Sequence, residues 1–232
     1  DQPRPTLPVE TAGGWRSETA MRTLARLRAL IDPLTGVVSR VERIGPDDLD
    51  WLEVRAAHFR QVAAPAKLDL VRNSFGRSFG KGITAAEAEV SAIAEAIERH
   101  SLAFRGDEVR RRDCWGAFDE GEAIPPGSLT LASDRQLDGE GPWWPQARPK
   151  PHDPEAVMDW SPATSLVDGQ MKWLPTEFVY FDAPIDHPSF CAADSNGVAA
   201  GNTREEAILQ GFLELIERDA HAIWWYNRVQ RP

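Results

Sequence analysis

The chain has 232 residues, enough for one large domain or two small ones with a buried core. Its 26 Lys and Arg against 36 Asp and Glu leave a formal charge of −10, which disfavours a protein that binds nucleic acid by neutralising phosphates. No apolar run in the sequence is long enough to cross a membrane, and the two cysteines stand in no metal-ligand spacing. We therefore expect a protein of the reducing cytoplasm that binds neither nucleic acid nor a membrane.

Helical and strand-like patterns are mixed along the chain, which indicates an α/β (α+β) fold. Prolines 3, 5 and 8 predict an extended lead-in over residues 1–15, and Ser17 is the expected N-cap of a helix that runs to about Asp32. The remaining predicted elements, in chain order, are strands over Val37–Ile44 and Leu52–Val62, a loop over Arg72–Gly82, a helix from Thr84 to about Arg105, a loop excursion over Asp134–Asp159, strands over Trp160–Leu166 and Trp173–Phe181 joined by a turn at Asp168-Gly169, a turn at Asn196-Gly197, and a helix from Thr203 to about Asn227.

The two long helices are related in sequence. A shift of 119 residues aligns residues 80–100 with residues 199–219, and eight of the 19 positions from Gly82 to His100 are then identical, where chance gives about one. The repeat predicts two related strand–loop–helix halves that face each other across one site. We therefore expect one domain over residues 16–232.

Each predicted helix opens with Gly, then Thr, then Glu three residues after the Thr. The pairs Thr84/Glu87 and Thr203/Glu206 match a capping box, which is a purely structural reason for this pattern. Helix N-termini that follow glycine also attract phosphate, and Arg77 and Lys81 lie in a glycine-rich segment just before the first helix. The spacing is not that of a Walker P-loop, so both interpretations stay open.

Each predicted helix then carries the pattern Glu-x-x-Glu-Arg. The residues are Glu95, Glu98 and Arg99 in the first helix, and Glu214, Glu217 and Arg218 in the second. Glu and Arg four residues apart are typical of an exposed helix face stabilised by ion pairs. Carboxylates three residues apart also share one helix face, as the ligands of a metal ion must.

The composition of the second helix favours the metal interpretation. From Ala207 to Trp225, 12 of 19 residues are apolar, which predicts a buried helix. Buried carboxylates must be paired or bind a cation, and oxygen-only ligands select Mg²⁺ or Mn²⁺. Small side chains at Ala88, Ser91 and Ala92 precede the first pair of carboxylates and leave room for a ligand. A nucleoside triphosphate with Mg²⁺ suits such a site.

These segments resemble the two signatures of the YcaO family. Gly80-Lys-Gly-Ile-Thr84, Ser91 and Glu95-Ala-Ile-Glu-Arg99 are similar to the first signature. Ser195-Asn-Gly-Val-Ala-Ala-Gly-Asn-Thr203, then Glu205-Glu-Ala207 and Glu214-Leu-Ile-Glu-Arg-Asp219, are similar to the second. The resemblance extends from about Ser17 to the C-terminus, and Trp224-Trp-Tyr-Asn-Arg228 is similar to members from azole-peptide gene clusters.

The resemblance implies an ATP-binding fold of two similar halves that activates peptide backbone amides. In the azoline-forming branch, a Cys, Ser or Thr of a ribosomally made precursor peptide attacks the preceding carbonyl, and ATP-dependent cyclodehydration gives a thiazoline or oxazoline, as in bacteriocin maturation. The enzyme then acts by positioning and charge stabilisation, so no catalytic nucleophile is assigned.

The resemblance also implies roles for individual residues. By the family pattern, the Mg²⁺ ligands are Glu95, Glu98, Glu214 and Glu217. The ATP-binding residues are Ser91, Asn202, Glu206, Arg218, Arg16 and Thr23. Arg16 and Thr23 stand where the family has Lys and Ser, and Ala199 stands where some members have a nucleotide-contacting Ser.

Two other functions fit the same pattern. A thioamide- or macroamidine-forming YcaO enzyme uses the same ATP site, and a truncated, non-catalytic module docks a peptide or a partner enzyme. The implied partners are the precursor peptide and a leader-binding or ThiF-like protein, and a homodimer is one option. Because the family extends beyond position 232, the resemblance implies a domain incomplete at its C-terminus, and we expect weak or absent turnover by this chain alone.

Overall fold

The computed structural model describes residues 8–11, 14–45, 51–60, 75–130, 133–138, 150–228 and 230. The chain divides into two compact units, one of residues 1–61, 73–101 and 195–232, and one of residues 62–72 and 102–194. Both copies of the repeat lie in the first unit. The mixture of helices and antiparallel sheets confirms the predicted α/β (α+β) class.

The first unit is built on a three-stranded antiparallel sheet. Its elements are β1 (Val9–Thr11), β2 (Gly14–Arg16), α1 (Ala20–Leu27) continued by a 3-10 turn (Arg28–Leu30), β3 (Val38–Arg43), β4 (Glu53–Arg60), β5 (Phe75–Gly82) and α2 (Ala85–Leu102), and, after the second unit, α6 (Arg204–Tyr226). The sheet has the order β3-β4-β5, and β1 pairs separately with β2, with Val9 opposite Arg16.

Helix α2 supplies half of the core of this unit. Its buried residues Ala92, Ile93 and Ala96 pack with Phe59 of β4 and Leu24 of α1. Burial of these side chains against the sheet is the main favourable contribution to the stability of the unit.

The second unit has its own antiparallel sheet and core. Its elements are β6 (Arg111–Asp113), a 3-10 turn (Trp115–Ala117), α3 (Pro126–Leu129), α4 (Asp134–Leu137), β7 (Met158–Thr164), β8 (Met171–Pro175) and α5 (Thr176–Val179), and the strand order is β6-β7-β8. The fully buried Trp160 centres the core with Met158 and Phe190, and its indole N–H donates to the carbonyl of Asp113 at 3.0 Å.

Several predicted elements are confirmed, with shifted ends. The three long helices and the strands β3, β4, β7 and β8 form where expected, and the turns at 168–169 and 196–197 have Gly169 and Gly197 at positive φ. The predicted strand over Trp173–Phe181 ends at Pro175, because the chain then turns into α5. Of the predicted loop over Asp134–Asp159, residues 134–137 are helical and the last two begin β7, while residues 139–149 lie outside the described residues.

The predicted loop over Arg72–Gly82 is wrong for Phe75–Gly82, which forms β5. A Cβ at Gly80 would collide with the backbone of Ala88 and Ala92 on α2, and one at Gly76 would strike the ring of Phe59. The glycines therefore allow close packing of a strand, rather than a loop around phosphate. Residues 72–74 lie outside the described residues.

The N-cap of α1 also differs from the prediction. Thr19, not Ser17, accepts a hydrogen bond from the backbone N–H of Arg22, at 3.3 Å. Ser17 is freed from capping and its hydroxyl is directed elsewhere, to a carboxylate of α6.

The prediction that α6 is a buried helix is wrong. Gly211 is its one buried residue, whereas Phe212, Leu215 and Trp225 are 55%, 49% and 63% exposed. An apolar composition indicates only that burial of the helix would be favourable. Whether the helix is buried depends on another element that covers it. Within the described ranges, no helix is both long and apolar enough to cross a bilayer.

Candidate functional site

Both long helices of the first unit begin with the predicted Thr cap. The Thr84 hydroxyl accepts from the N–H of Glu87 at 3.3 Å, and the Thr203 hydroxyl accepts from the N–H of Glu206 at 3.1 Å. The Glu87 carboxylate returns to the backbone N–H of Thr84 at 3.0 Å, which completes a capping box. Helix capping therefore explains the Thr-x-x-Glu pattern at the start of α2.

The carboxylate of Glu206 does not complete the equivalent box. Its Oε2 accepts from the backbone N–H of Ser17 at 3.3 Å and from the Ser17 hydroxyl at 2.6 Å. Its Oε1 lies 3.6 Å from Nε of Arg16. This carboxylate is thus used to hold the N-terminal segment at the start of α6.

Asn202 joins the same group of side chains. Its Nδ2 lies 3.4 Å from Oε2 of Glu206, and its Oδ1 accepts from the Thr23 hydroxyl at 2.8 Å and from the guanidinium of Arg26. Four of the six predicted ATP-binding residues are therefore linked by direct contacts: Arg16, Thr23, Asn202 and Glu206. We call these four, with Ser17 and Arg26, the α6 entry cluster.

The other two predicted ATP-binding residues lie elsewhere on the long helices. Ser91 is exposed on α2, one turn before Glu95. Arg218 lies three turns after Glu206 and donates to Oε1 of Glu214 at 3.1 Å. The roles of all six residues in nucleotide binding remain predictions.

The first Glu of each Glu-x-x-Glu-Arg pattern is held in the same way in the two halves. Glu95 accepts from Arg99 at 2.8 Å and from the backbone N–H of Phe79 at 3.1 Å. Glu214 accepts from Arg218 and, at 3.2 Å, from the backbone N–H of Gly197. Each carboxylate thus links its helix to the segment that precedes it, and the ion pairs expected of an exposed helix face are also present.

The second Glu of the pattern differs between the halves. Burial and, to a smaller extent, the nearby carboxylates of Glu214 and Glu95 together raise the pKa of Glu98 to about 7, against the opposing effects of Arg99 and of the backbone N–H of Ala200. Glu217, its counterpart on α6, is exposed. Three of the four predicted Mg²⁺ ligands therefore interact electrostatically, and the fourth is directed toward solvent.

The four glutamates predicted to bind Mg²⁺ have the donor atoms that this ion prefers, but they are not arranged as a closed metal site. Oxygen donors are those Mg²⁺ prefers, and the unfavourable negative charge around Glu98 is one that a cation would relieve. Among the described residues, no three His, Cys, Asp or Glu side chains are grouped closely enough to hold a metal ion. Ala88 and Ala92, which were expected to leave room for a ligand, are instead fully buried under β5.

The buried thiol of Cys191, in the second unit, is not activated. Cys191 is buried, and desolvation with the neighbouring Glu177 carboxylate raises the pKa of its thiol well above its usual range. A thiol in these surroundings is a poor nucleophile.

Two members of the α6 entry cluster, Ser17 and Arg26, are absent from the residues that the sequence predicts for the site. The sequence predicts Ser17 as a helix cap instead. Arg26 follows Thr23 by three residues, so the two side chains share one face of α1, and this spacing was a usable signal.

The chain is similar to proteins of known structure. The chain is 36% identical, with a TM-score of 0.84, to a heterocyclase solved in complex with substrate and cofactor, and the match covers 100% of this chain and 32% of that one. It has the fold of YcaO from Methanopyrus kandleri bound with AMPPCP and Mg²⁺, at 23% identity and a TM-score of 0.62, over 94% of this chain and 47% of that one.

The chain is also similar to a curated relative. An uncharacterized protein of Methanothermobacter thermautotrophicus is 30% identical over 90% of this chain and 48% of its own length. The chain thus spans about half of that relative and about a third of the heterocyclase. Residues 79–232 match the model of the YcaO cyclodehydratase family, described as ATP- and Mg²⁺-binding, and the chain belongs to this family.

Proposed function

We propose that this chain binds ATP with Mg²⁺ and contributes to activating a backbone amide of a peptide. The observation that carries the proposal is the crowding of carboxylates around Glu98, whose pKa is raised to about 7 by burial and by Glu214 and Glu95. A divalent cation would offset this repulsion, and membership of an ATP- and Mg²⁺-binding family supplies the chemistry.

The α6 entry cluster supports the nucleotide half of the proposal. Asn202 and Glu206 stand at the start of a long helix, where backbone N–H groups and the helix dipole favour negative charge. Arg16 adds a positive charge beside them, and Arg218 adds another further along α6. The proposed ATP-binding residues remain Ser91, Asn202, Glu206, Arg218, Arg16 and Thr23.

ATP, when bound, supplies a phosphoryl group that turns an amide oxygen into a leaving group. The proposed task of this chain is to orient the nucleotide and stabilise developing charge, so no residue is assigned as nucleophile or general base. The glutamates 95, 98, 214 and 217 would hold the metal.

At a finer level, we propose cyclodehydration of Cys, Ser or Thr in a ribosomally made precursor peptide. The side-chain nucleophile adds to the preceding carbonyl carbon, and the carbonyl oxygen and two protons are lost overall, which gives a thiazoline or oxazoline. Its 36% identity to a heterocyclase in complex with substrate and cofactor supports this branch over the thioamide and macroamidine branches. A leader-binding or ThiF-like partner, a homodimer and a cytoplasmic location belong to the same proposal.

Calorimetric titration of ATP, with Mg²⁺ and with EDTA, tests the proposal. We expect binding that depends on Mg²⁺ and is weakened about tenfold or more by Glu98→Gln or Glu214→Gln, because each change removes an anionic ligand. Glu120→Gln, at an exposed position of the second unit, is the matched control. Absence of Mg²⁺-dependent binding to the wild type would overturn the proposal.

One observation favours a second function, a non-catalytic docking module. Helix α6 exposes a row of large apolar side chains, including Phe212, Trp225 and Tyr226. Surfaces of this kind commonly mark protein contacts. This alternative predicts that the chain binds a peptide or partner enzyme with equal affinity in EDTA and in Mg²⁺-ATP.

A further inference from the structure

The hydrogen bonds of the α6 entry cluster determine the orientation of the Asn202 side-chain amide. A side-chain amide has one oxygen acceptor and one NH₂ donor group, and the two ends can exchange places by rotation. In this chain the oxygen accepts two donors, the Thr23 hydroxyl and the Arg26 guanidinium. The NH₂ group is therefore directed toward Glu206, with two N–H donors to offer.

Glu206 is fixed from the other side. Ser17 donates to it twice, through its backbone N–H and its hydroxyl, and Arg16 pairs with it. Nδ2 of Asn202 lies 3.4 Å from Oε2 and 3.5 Å from Oε1 of Glu206, so one N–H directed between the two oxygens accounts for both contacts. The second N–H of the amide is then available to a ligand acceptor.

The corresponding residues of the first half, as far as the structure describes them, differ from those of the α6 entry cluster. The residue 119 positions before Asn202 is Ile83, which is 64% exposed, and the Glu87 carboxylate returns to its own helix start. The Glu206 carboxylate instead joins α6 to the N-terminal segment, a contact that helix capping does not require.

We propose that Ser17 and Arg26 are positioning residues, which orient Glu206 and Asn202 so that Asn202 presents an N–H donor to a bound nucleotide. The inference rests on the proposed function, namely that ATP binds at the start of α6. Ser17 acts through Glu206 and Arg26 through Asn202. Neither side chain needs to touch the nucleotide.

Arg26→Ala tests the second half of this inference against a matched control. Arg22→Ala removes the same charge one turn earlier on α1, where Arg22 pairs with Glu18. We expect about 5- to 20-fold weaker Mg²⁺-ATP binding for Arg26→Ala and less than about 2-fold for Arg22→Ala, because the loss of a charge-assisted hydrogen bond is of this size. Equal losses in the two variants would show a general charge effect and overturn the inference.

A double-mutant cycle separates positioning from direct contact. In an Asn202→Ala background, Arg26→Ala should cost no further affinity, since its effect passes through Asn202. Additive losses would overturn the inference while leaving the proposed function intact. A wild-type chain that fails to bind Mg²⁺-ATP would overturn both.

Ser17 is tested in the nucleotide-free protein as well. Ser17→Ala should weaken ATP binding about 5-fold and raise amide exchange over residues 14–19 in the absence of ATP, and Ser17→Thr should restore both. Ser101→Ala, which removes a local hydroxyl bond to the Ile97 carbonyl, is the control. Unchanged affinity and exchange in Ser17→Ala would rule out a positioning role for this residue.

Discussion

The two halves of the repeat have related sequences and different surroundings. In the first half, β5 lies along α2 as part of a three-stranded sheet, and Ile93 and Ala96 are fully buried beneath it. In the second half, residues 195–201 lie along α6 without forming a strand, and the corresponding Phe212 and Leu215 are about half exposed. Equivalent positions thus form a core in one half and a surface in the other.

The contrast extends to the polar positions. Where the first half uses Glu87 to cap its own helix, the second half uses Glu206 to hold Arg16 and Ser17. The first half thus places its buried residues in the core, and the second half carries the polar network of the α6 entry cluster.

The largest expected difference between the halves is the loss of stability when a closely packed glycine is replaced by alanine. Gly80→Ala places a Cβ against the backbone of α2, while β5 is held by its pairing with β4, and should lower the free energy of unfolding by about 3 kcal/mol or more. Gly211→Ala meets the carbonyl of Gly197, in a segment outside any sheet, and should cost about 1 kcal/mol. Urea unfolding followed by circular dichroism measures both.

The control for these substitutions is Gly116→Ala, where an added Cβ meets nothing within 4 Å. Equal losses for Gly80→Ala and Gly211→Ala would mean that the two helix–segment contacts are equally rigid. The contrast between the halves would then be limited to exposure and to the contacts of Glu87 and Glu206.

The next effect is a pH dependence that belongs to Glu98. Because its pKa is about 7 in the folded chain against 4.5 for the free group, the folded state binds more protons between these values. This contribution to stability is fully present below about pH 4.5 and is lost as the pH rises through 7. In EDTA, the wild type should therefore lose about 1–2 kcal/mol of stability over this pH range, and the Glu98→Gln variant should lack this loss. The magnitude is set below the full linkage value because the side chain is partly exposed.

Glu217→Gln is the matched substitution in the second half. Glu217 is exposed, and its substitution leaves Glu98, Glu95 and Glu214 in place, so we expect the pH dependence that belongs to Glu98 to persist in this variant. Thermal unfolding across pH 4 to 8 compares the three proteins. A Glu98→Gln variant with an unchanged profile would show that the carboxylates are less crowded than the structure indicates.

Much of the first unit could be predicted from the sequence. Local signals sufficed for the two long helices, because Thr84 and Thr203 cap them as the Thr-x-x-Glu pattern predicts. They failed for β5, because Gly76 and Gly80 are needed for packing against partners that are distant in sequence. The residues next to a glycine in the sequence do not indicate which distant residues will pack against it.

The candidate site was predictable to a similar extent. Family resemblance named Arg16, Thr23, Asn202 and Glu206, which the structure links by direct contacts. It did not name Ser17 or Arg26, because the family pattern quoted for this segment includes only Arg16 and Thr23, and the contacts of Ser17 and Arg26 with Glu206 and Asn202 form only in the folded chain. The buried state predicted for α6 failed for a related reason, since burial depends on a covering element and not on the helix alone.

The smallest effect compares the two capping glutamates directly. Glu87→Gln keeps a side chain that can still reach back to Thr84, so it should cost about 0.5 kcal/mol or less. Glu206→Gln loses the ion pair with Arg16 and weakens both bonds from Ser17, and should cost about 1 kcal/mol.

Exchange of backbone amides distinguishes the two roles even where the stability losses overlap. The Glu206→Gln change should speed exchange over residues 14–19, far away in sequence, because that segment is held by the carboxylate. The Glu87→Gln change should act only on the first turn of α2. If Glu206→Gln affected only the first turn of α6, Glu206 would be an ordinary cap, and the functional difference between the halves would rest on Asn202 alone.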